Sequence, residues 1–173
     1  MTKLMAICGS TKAVSTNSLY ISAVTKLLGK TFEVTCFPSI ANIPHFNPDL
    51  DLNNPPAAVE DLRLTIQQAD GIIISTPEYA MGLPGSLKNL IDWTVSSASF
   101  AGKPTLALIA STQGEKAYHS IIDILTVIEA KVTAQHIPYA KAKINNDGLI
   151  TDEDTLGELK TTVDLFVASM KNG

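Results

Sequence analysis

The 173-residue chain is short of cysteine and of positive charge, and each shortage excludes a class of protein. Its two cysteines, Cys8 and Cys36, lie far apart and in no metal-binding or redox spacing, so a disulfide scaffold is not indicated. We expect both thiols to be small core side chains in a reducing, cytoplasmic setting. The net charge of −4 argues against a nucleic-acid ligand, which requires a basic face.

Long apolar runs are missing as well. No stretch approaches the ~18 apolar residues of a membrane helix, and the first residues lack the apolar region of a signal peptide. We therefore expect neither a membrane span nor a targeting segment. Because 45% of the residues are hydrophobic and 17% are charged, the composition is that of a folded globule rather than a disordered chain. We expect residues 1–173 to form a single domain.

Several common motifs are also absent. The loop after the first apolar run is neither the G-x-G-x-x-G of dinucleotide sites nor the G-x-x-x-x-G-K-[ST] of triphosphate sites, and no G-x-S-x-G hydrolase elbow occurs. Residues 49–54 imitate a calcium loop, but Asn54 replaces the glycine that such loops require. The three histidines have no mutual ligand spacing. We predict no metal site.

What the sequence does contain is a regular alternation of apolar runs and helical periods. Each predicted strand is followed by a stripe of apolar residues at helical spacing. The strands are predicted at residues 4–8, 32–37, 71–76, 105–109 and 132–137. Fully apolar strands alternating with helices predict a parallel sheet covered on both faces, which is a doubly wound α/β fold. The last helix is predicted to begin at Thr151-x-x-Asp154, which resembles a capping box.

In a fold of this kind, ligands bind beyond the carboxyl ends of the strands. The loops after strands one, three and four, at residues 9–17, 77–85 and 111–116, should therefore share one edge of the sheet. Residues 38–56 form a long loop rich in proline and asparagine, which we interpret as a flap.

The first of these loops, GSTKAVSTN, leads from a strand into a helix and carries hydroxyls, an amide and one cation. The start of a helix presents unpaired N–H groups and partial positive charge, so it favours an anion. The loop therefore predicts a site for a terminal phosphate. The alternative is a polar loop that does no more than cap its helix with Ser15 or Thr16.

A second stretch, PEYAMGLPGSLKNLIDW at residues 77–93, is more specific. Together with the first loop it resembles the NAD(P)H-dependent FMN reductase family, which includes quinone, azo and chromate reductases. The usual family patterns are G-S-x-R-x-x-S-x-N and P-E-Y-N-x-x-x-P-G-x-L-K-N-x-x-D-W. This chain departs from them at Lys12 and Ala80, which stand where the family has arginine and asparagine. Glu115 and Lys116 also follow Gly114 where a second glycine is usual.

The resemblance implies a flavodoxin-like fold, a five-stranded parallel sheet of order 2-1-3-4-5, and a homodimer or homotetramer. It also implies that hydride passes from NAD(P)H through bound FMN to a small acceptor such as a quinone, an azo compound, chromate or free flavin. No residue is assigned an acid–base role. The implied cofactor-binding residues are Ser10, Lys12, Ser15, Thr16, Asn17, Ser18, Pro77, Glu78, Tyr79, Ala80, Met81, Gly82, Ser111, Thr112, Gln113 and Gly114.

Two other functions stay open at this point. One is an FMN-binding electron carrier without its own NAD(P)H activity. The other is a structural or regulatory protein that has lost flavin, which the departures at Lys12, Ala80, Glu115 and Lys116 motivate.

Overall fold

The computed structural model describes residues 1–171 and contains one five-stranded sheet. Its strands are β1 Thr2–Cys8, β2 Phe32–Cys36, β3 Gly71–Thr76, β4 Pro104–Ala110 and β5 Lys131–Ile137. All neighbouring strands pair in parallel, in the order β2-β1-β3-β4-β5. The predicted flavodoxin-like α/β fold and its strand order are confirmed.

Helices cover both faces of the sheet. They are α1 Thr16–Leu28, α2 Pro48–Asp51, α3 Ala57–Gln68, α4 Gly85–Asp92, α5 Glu115–Val127 and α6 Glu153–Lys171. On one face α1 and α6 pack around Tyr20 and Phe166, and on the other α3, α4 and α5 pack around Leu62, Leu90 and Ile121. Because both faces are covered, every residue of β3 and β4 is buried.

The edge strand β2 differs from the central strands. Only one side of it pairs within the sheet, and none of its residues is fully buried. The expectation that Cys36 is a core side chain is therefore wrong, since Cys36 is exposed and Cys8 is only half-buried. Central and edge strands can have the same apolar pattern in sequence. The elements that pack beside a strand in the folded protein decide which of its residues are buried.

Helix α6 begins with a different cap from the one predicted. The Asp152 carboxylate, not the Thr151 hydroxyl, accepts the bond from the backbone N–H of Thr155, at 2.9 Å. The hydrogen bonds from Thr155 lower the pKa of Asp152. An aspartate is a favoured N-cap residue because its oxygen satisfies an N–H group of the first turn, and its charge is stabilised there.

The long segment at residues 38–56, interpreted from the sequence as a flap, is bonded to the body of the protein. Asn89 of α4 accepts from the N–H of Phe46 at 2.8 Å and donates to the carbonyl of Pro44 at 2.9 Å. The indole N–H of Trp93 donates to the same carbonyl at 2.8 Å. Arg63 forms an ion pair with Asp51, so a carboxylate of the calcium-like residues 49–54 bonds to α3. No helix within residues 1–171 is long and apolar enough to cross a membrane.

Candidate functional site

A cleft of about 430 Å³ opens at the carboxyl edge of the sheet. Residues from all three predicted loops line it, as expected from the parallel topology. The predicted residues in its walls are Ser10, Lys12, Ser15, Thr16, Asn17, Pro77, Glu78, Tyr79, Ser111 and Thr112.

The first loop leaves β1 through a glycine that the packing requires. A Cβ atom at Gly9 would lie 2.6 Å from the Cβ of Thr76, which is closer than real side chains approach. The N–H of Gly9 also donates to the carbonyl of Ser75 at 2.7 Å. The loop therefore starts in contact with the end of β3.

Helix α1 points the start of its backbone at the cleft. Ser15 is its N-cap and forms a reciprocal capping box with Ser18, whose N–H donates to the Ser15 hydroxyl at 3.1 Å. The N–H groups of Thr16 and Asn17, and the Lys12 ammonium, have no hydrogen-bond partner within residues 1–171. These groups are the donors that an anion requires at a helix start.

The Asn17 side chain is directed into the protein. Its amide donates to the carbonyl of Ala110 at 3.2 Å, and its oxygen accepts from the Ser75 hydroxyl at 2.9 Å. These buried bonds join the start of α1 to the ends of β3 and β4. Asn17 therefore offers the cleft its backbone N–H, while its side chain holds the first loop against the sheet.

The loop after β3 contains a tight hairpin turn. Tyr79 and Gly82 exchange two backbone hydrogen bonds of 2.9 and 3.1 Å, and the two residues between them have positive φ. These are Ala80 at 47° and Met81 at 64°. Such a turn favours glycine or asparagine, so two ordinary side chains in it are strained. The turn carries the exposed side chains of Tyr79 and Met81 at the rim of the cleft.

Glu78 links the second loop to the third. Its carboxylate accepts from the N–H of Ala117 in the first turn of α5 at 3.0 Å, and its own N–H donates to the Ser111 hydroxyl at 3.2 Å. The residue at the start of α5 is Gly114, which has no side chain with which to cap the helix. Glu78 therefore supplies that cap from another loop.

The remaining predicted residues lie around this cleft rather than in its walls. Ala80 and Gly82 belong to the hairpin turn, and Gly114 belongs to the start of α5. Met81 and Gln113 line an adjoining pocket, and Ser18 faces a smaller cavity behind the first loop.

The loop after β5 also reaches the cleft, although neither sequence motif includes it. The residues involved are Tyr139, Ala140, Lys141 and Ala142. The buried Tyr20 hydroxyl supports this wall by donating to the carbonyl of Ala140 at 3.1 Å. Burial, with a smaller contribution from Asp152, raises the pKa of Tyr20 to about 12, so the hydroxyl stays protonated. Since β5 was predicted next to β4, its own carboxyl end was a signal for this wall.

These features fit FMN. The cationic Lys12, the free N–H groups of α1 and the nearby hydroxyls suit a phosphate, and the volume lies within the range of small-ligand sites. The backbone of residues 77–79 is held in place by Glu78 and supplies a polar edge for a flat ring.

Comparison with known proteins decides the family. Residues 2–143 match the family described as NADPH-dependent FMN reductase. The chain belongs to this family. It is accordingly an oxidoreductase that uses NAD(P)H and FMN, as the resemblance implied.

Individual relatives agree with this assignment. The chain is 35% identical to a quinone reductase of Escherichia coli K12 over 136 residues, covering 75% of this chain and 72% of that protein. It is 26% identical to a 2-hydroxy-1,4-benzoquinone reductase of a Burkholderia species, covering 98% and 97%. Among solved structures it is similar to FerB of Paracoccus denitrificans, a flavoenzyme NAD(P)H:(acceptor) oxidoreductase. The TM-score is 0.87 at 26% identity, over 99% of this chain and 98% of that one.

Proposed function

We propose that residues 1–173 act as one FMN-binding domain that reduces a small quinone at the expense of NAD(P)H. The observation that carries this proposal is the convergence of Lys12 and the free N–H groups of Thr16 and Asn17 in one cleft with residues 77–79. In this arrangement the start of α1 would hold the phosphate, and the loops after β3 and β4 would flank the isoalloxazine ring.

Bound FMN supplies the ability to accept a hydride from NAD(P)H and pass it on. The net reaction transfers a hydride from NADPH and one proton from solvent to the quinone, giving NADP⁺ and a hydroquinone. The protein residues bind and orient. Lys12 and the start of α1 would hold the phosphate, and Glu78 and Ser111 fix the loop that would flank the ring. We assign no protein acid or base, because the protein's part is position and exclusion of water.

A quinone is proposed as the acceptor because two of the relatives are named for quinone reduction. One of them, the 2-hydroxy-1,4-benzoquinone reductase, is matched over nearly the whole of both chains. The other acceptors considered from the sequence are azo compounds, chromate and free flavin, and each provides a competing assay.

We further propose that the protein is a cytoplasmic homodimer or homotetramer. The two free thiols of Cys8 and Cys36 support a reducing compartment.

Light scattering on a sizing column gives the mass of the assembly, and a monomer at micromolar concentration would contradict the oligomer.

The test of the main proposal starts from protein freed of flavin. We expect FMN to bind with submicromolar affinity, anaerobic NADPH to bleach the flavin absorbance, and added menadione to restore it. Binding of FMN without bleaching would favour the electron carrier. Failure to bind FMN would favour the structural or regulatory alternative and would end the proposal.

A further inference from the structure

A second pocket of about 300 Å³ adjoins the flavin cleft. Glu78, Thr112 and Tyr139 line both spaces, so Tyr139 stands where they meet. Met81 and Pro138 add a thioether and an aliphatic ring to the walls of this second pocket, which we call the acceptor pocket. Such surfaces contact planar unsaturated rings favourably.

The backbone of Tyr139 is held in a conformation that does not suit a tyrosine. Its φ is 53° and its ψ is 32°, in the left-handed region. Its N–H donates to the carbonyl of Thr112 at 3.1 Å, and the N–H of Ala140 donates to the carbonyl of Ser111 at 3.0 Å. These bonds fix the turn, and glycine or asparagine would adopt it with less strain.

The tyrosine ring is also not explained by packing. Its residue is 65% exposed, and its hydroxyl has no hydrogen-bond partner within residues 1–171. An aromatic side chain that is strained at its backbone and exposed at its ring stabilises the fold little. Its position between the two spaces indicates a role in binding instead.

We infer that the acceptor pocket takes an uncharged quinone of one or two rings, and that Tyr139 determines its affinity by contacting that ring. This inference rests on the proposed function, since a quinone in the pocket is reduced only if a flavin is bound beside it. The volume lies at the lower end for small-ligand sites and suits such a molecule.

The charges around the pocket favour a neutral acceptor. Its ionisable side chains are two carboxylates, Glu78 and Glu115, one ammonium, Lys116, and the imidazole of His136. The two carboxylates disfavour an oxyanion such as chromate. Among the acceptors considered from the sequence, a quinone therefore fits this pocket better than chromate does.

The test compares Tyr139→Gly with wild type, both loaded with FMN, in steady-state assays with NADPH and menadione. We expect the KM for menadione to rise about tenfold, because the ring contact is lost. The Kd for FMN is measured alongside, because Tyr139 also lines the flavin cleft, and it should change less than the KM for menadione. The Tm should rise by about 3 °C, because glycine relieves the left-handed strain.

The matched control is Glu129→Gly. Glu129 is also left-handed, with φ of 62°, and is exposed in the turn that follows α5. This variant should raise the Tm similarly and leave the KM for menadione unchanged. Tyr139→Phe should also keep the wild-type KM, since the ring and not the hydroxyl makes the contact.

An unchanged KM for menadione in Tyr139→Gly would overturn the inference. So would an equal loss of FMN affinity, which would make Tyr139 a flavin contact. If Tyr139→Gly does not fold, Tyr139→Asn tests the same point, because asparagine tolerates the left-handed region.

Ferricyanide separates this inference from the proposed function. Wild-type protein that oxidises NADPH with ferricyanide but not with menadione would contradict the quinone pocket and the quinone as acceptor, while the transfer of hydride from NAD(P)H to FMN would stand. Activity with neither acceptor would contradict the proposed function, and the inference would fall with it.

Discussion

Two long polar loops follow neighbouring strands at the same edge of the sheet, yet they are used in opposite ways. Residues 9–17 leave the Lys12 ammonium and the first N–H groups of α1 without partners in the described chain, facing a cleft. Residues 38–56 have key backbone groups paired with side chains from α4 and its end. Polar composition alone therefore does not mark a binding loop. Whether distant residues satisfy its polar groups decides its use.

The comparison also separates two parts of one sequence motif. In residues 77–93 the leading Pro-Glu-Tyr borders the cleft, whereas Asn89 and Trp93 at the other end hold residues 44–46 in place. A single motif thus contains both binding and scaffold residues.

The largest expected effect on stability comes from Trp93, which bonds to the loop at residues 38–56. The side chain is fully buried, donates to the Pro44 carbonyl and contacts the Phe46 ring edge-on at 5.1 Å. Trp93→Ala should lower the free energy of unfolding by about 4 kcal/mol, through a cavity and a lost hydrogen bond. Urea unfolding measures this, and Trp93→Phe, which keeps a ring, should cost less. A loss below about 1 kcal/mol would contradict the role of Trp93 in holding residues 38–56.

In the loop at residues 9–17 we expect the reverse pattern, in which a substitution weakens FMN binding and leaves stability unchanged. Lys12→Ala should weaken FMN binding about tenfold by removing a charge-assisted bond to the phosphate. Riboflavin, which lacks the phosphate, should bind as to wild type, and the Tm should not change. Fluorescence titration measures both affinities.

Lys88→Ala provides the control for this change, because Lys88 pairs with Asp92 on an exposed turn of α4 outside the cleft. Lys12→Arg sharpens the test, since a guanidinium can hold a phosphate with two bonds. Equal weakening of FMN and riboflavin in Lys12→Ala would contradict a phosphate contact.

The hairpin turn offers a smaller effect of opposite sign. Ala80→Gly should raise the free energy of unfolding by about 1 kcal/mol, because glycine adopts positive φ without strain. Ala168→Gly, at an exposed position of α6, should lower it by about as much. Thermal unfolding compares them, and a destabilised Ala80→Gly would show that the turn is not strained.

The smallest effect concerns the cap of α6. The pKa of Asp152 is lower in the folded protein than in the unfolded chain, because Thr155 donates to its carboxylate. Its stabilising charge is therefore present above the unfolded value of about 3.9 and lost as the pH falls through the folded value. Asp152→Asn should have a slightly lower Tm than wild type at pH 7, and the gap should close in acid. A difference in Tm that persists unchanged into acid would contradict a charged cap at Asp152.

Much of the fold was predictable because it depends on local patterns. Apolar runs and helical periods located the five strands and the helices between them, and parallel topology placed the three loops at one edge. The predictions for Cys36 and for the cap at Thr151 were wrong. Cys36 lies on the edge strand β2, and the N–H of Thr155 donates to Asp152 rather than to Thr151. The local pattern of residues reveals neither arrangement.

The site was predictable in outline but not in the direction of its side chains. The motifs named Asn17 and Glu78, and the structure shows that these side chains bind Ser75, Ala110 and Ala117. The wall at Tyr139 was missed because its segment follows β5 and lies outside both motifs. The roles of the predicted cofactor residues remain predictions for the experiments above.

The sequence by itself determined the strands, the helices and the edge at which the polar loops gather, because periodicity and glycine placement act over a few residues. Only the tertiary structure decided which polar groups in those loops are satisfied and which stay open to a ligand. The reason is that their partners lie far along the chain, from Asn17 to Ala110 and from Phe46 to Asn89.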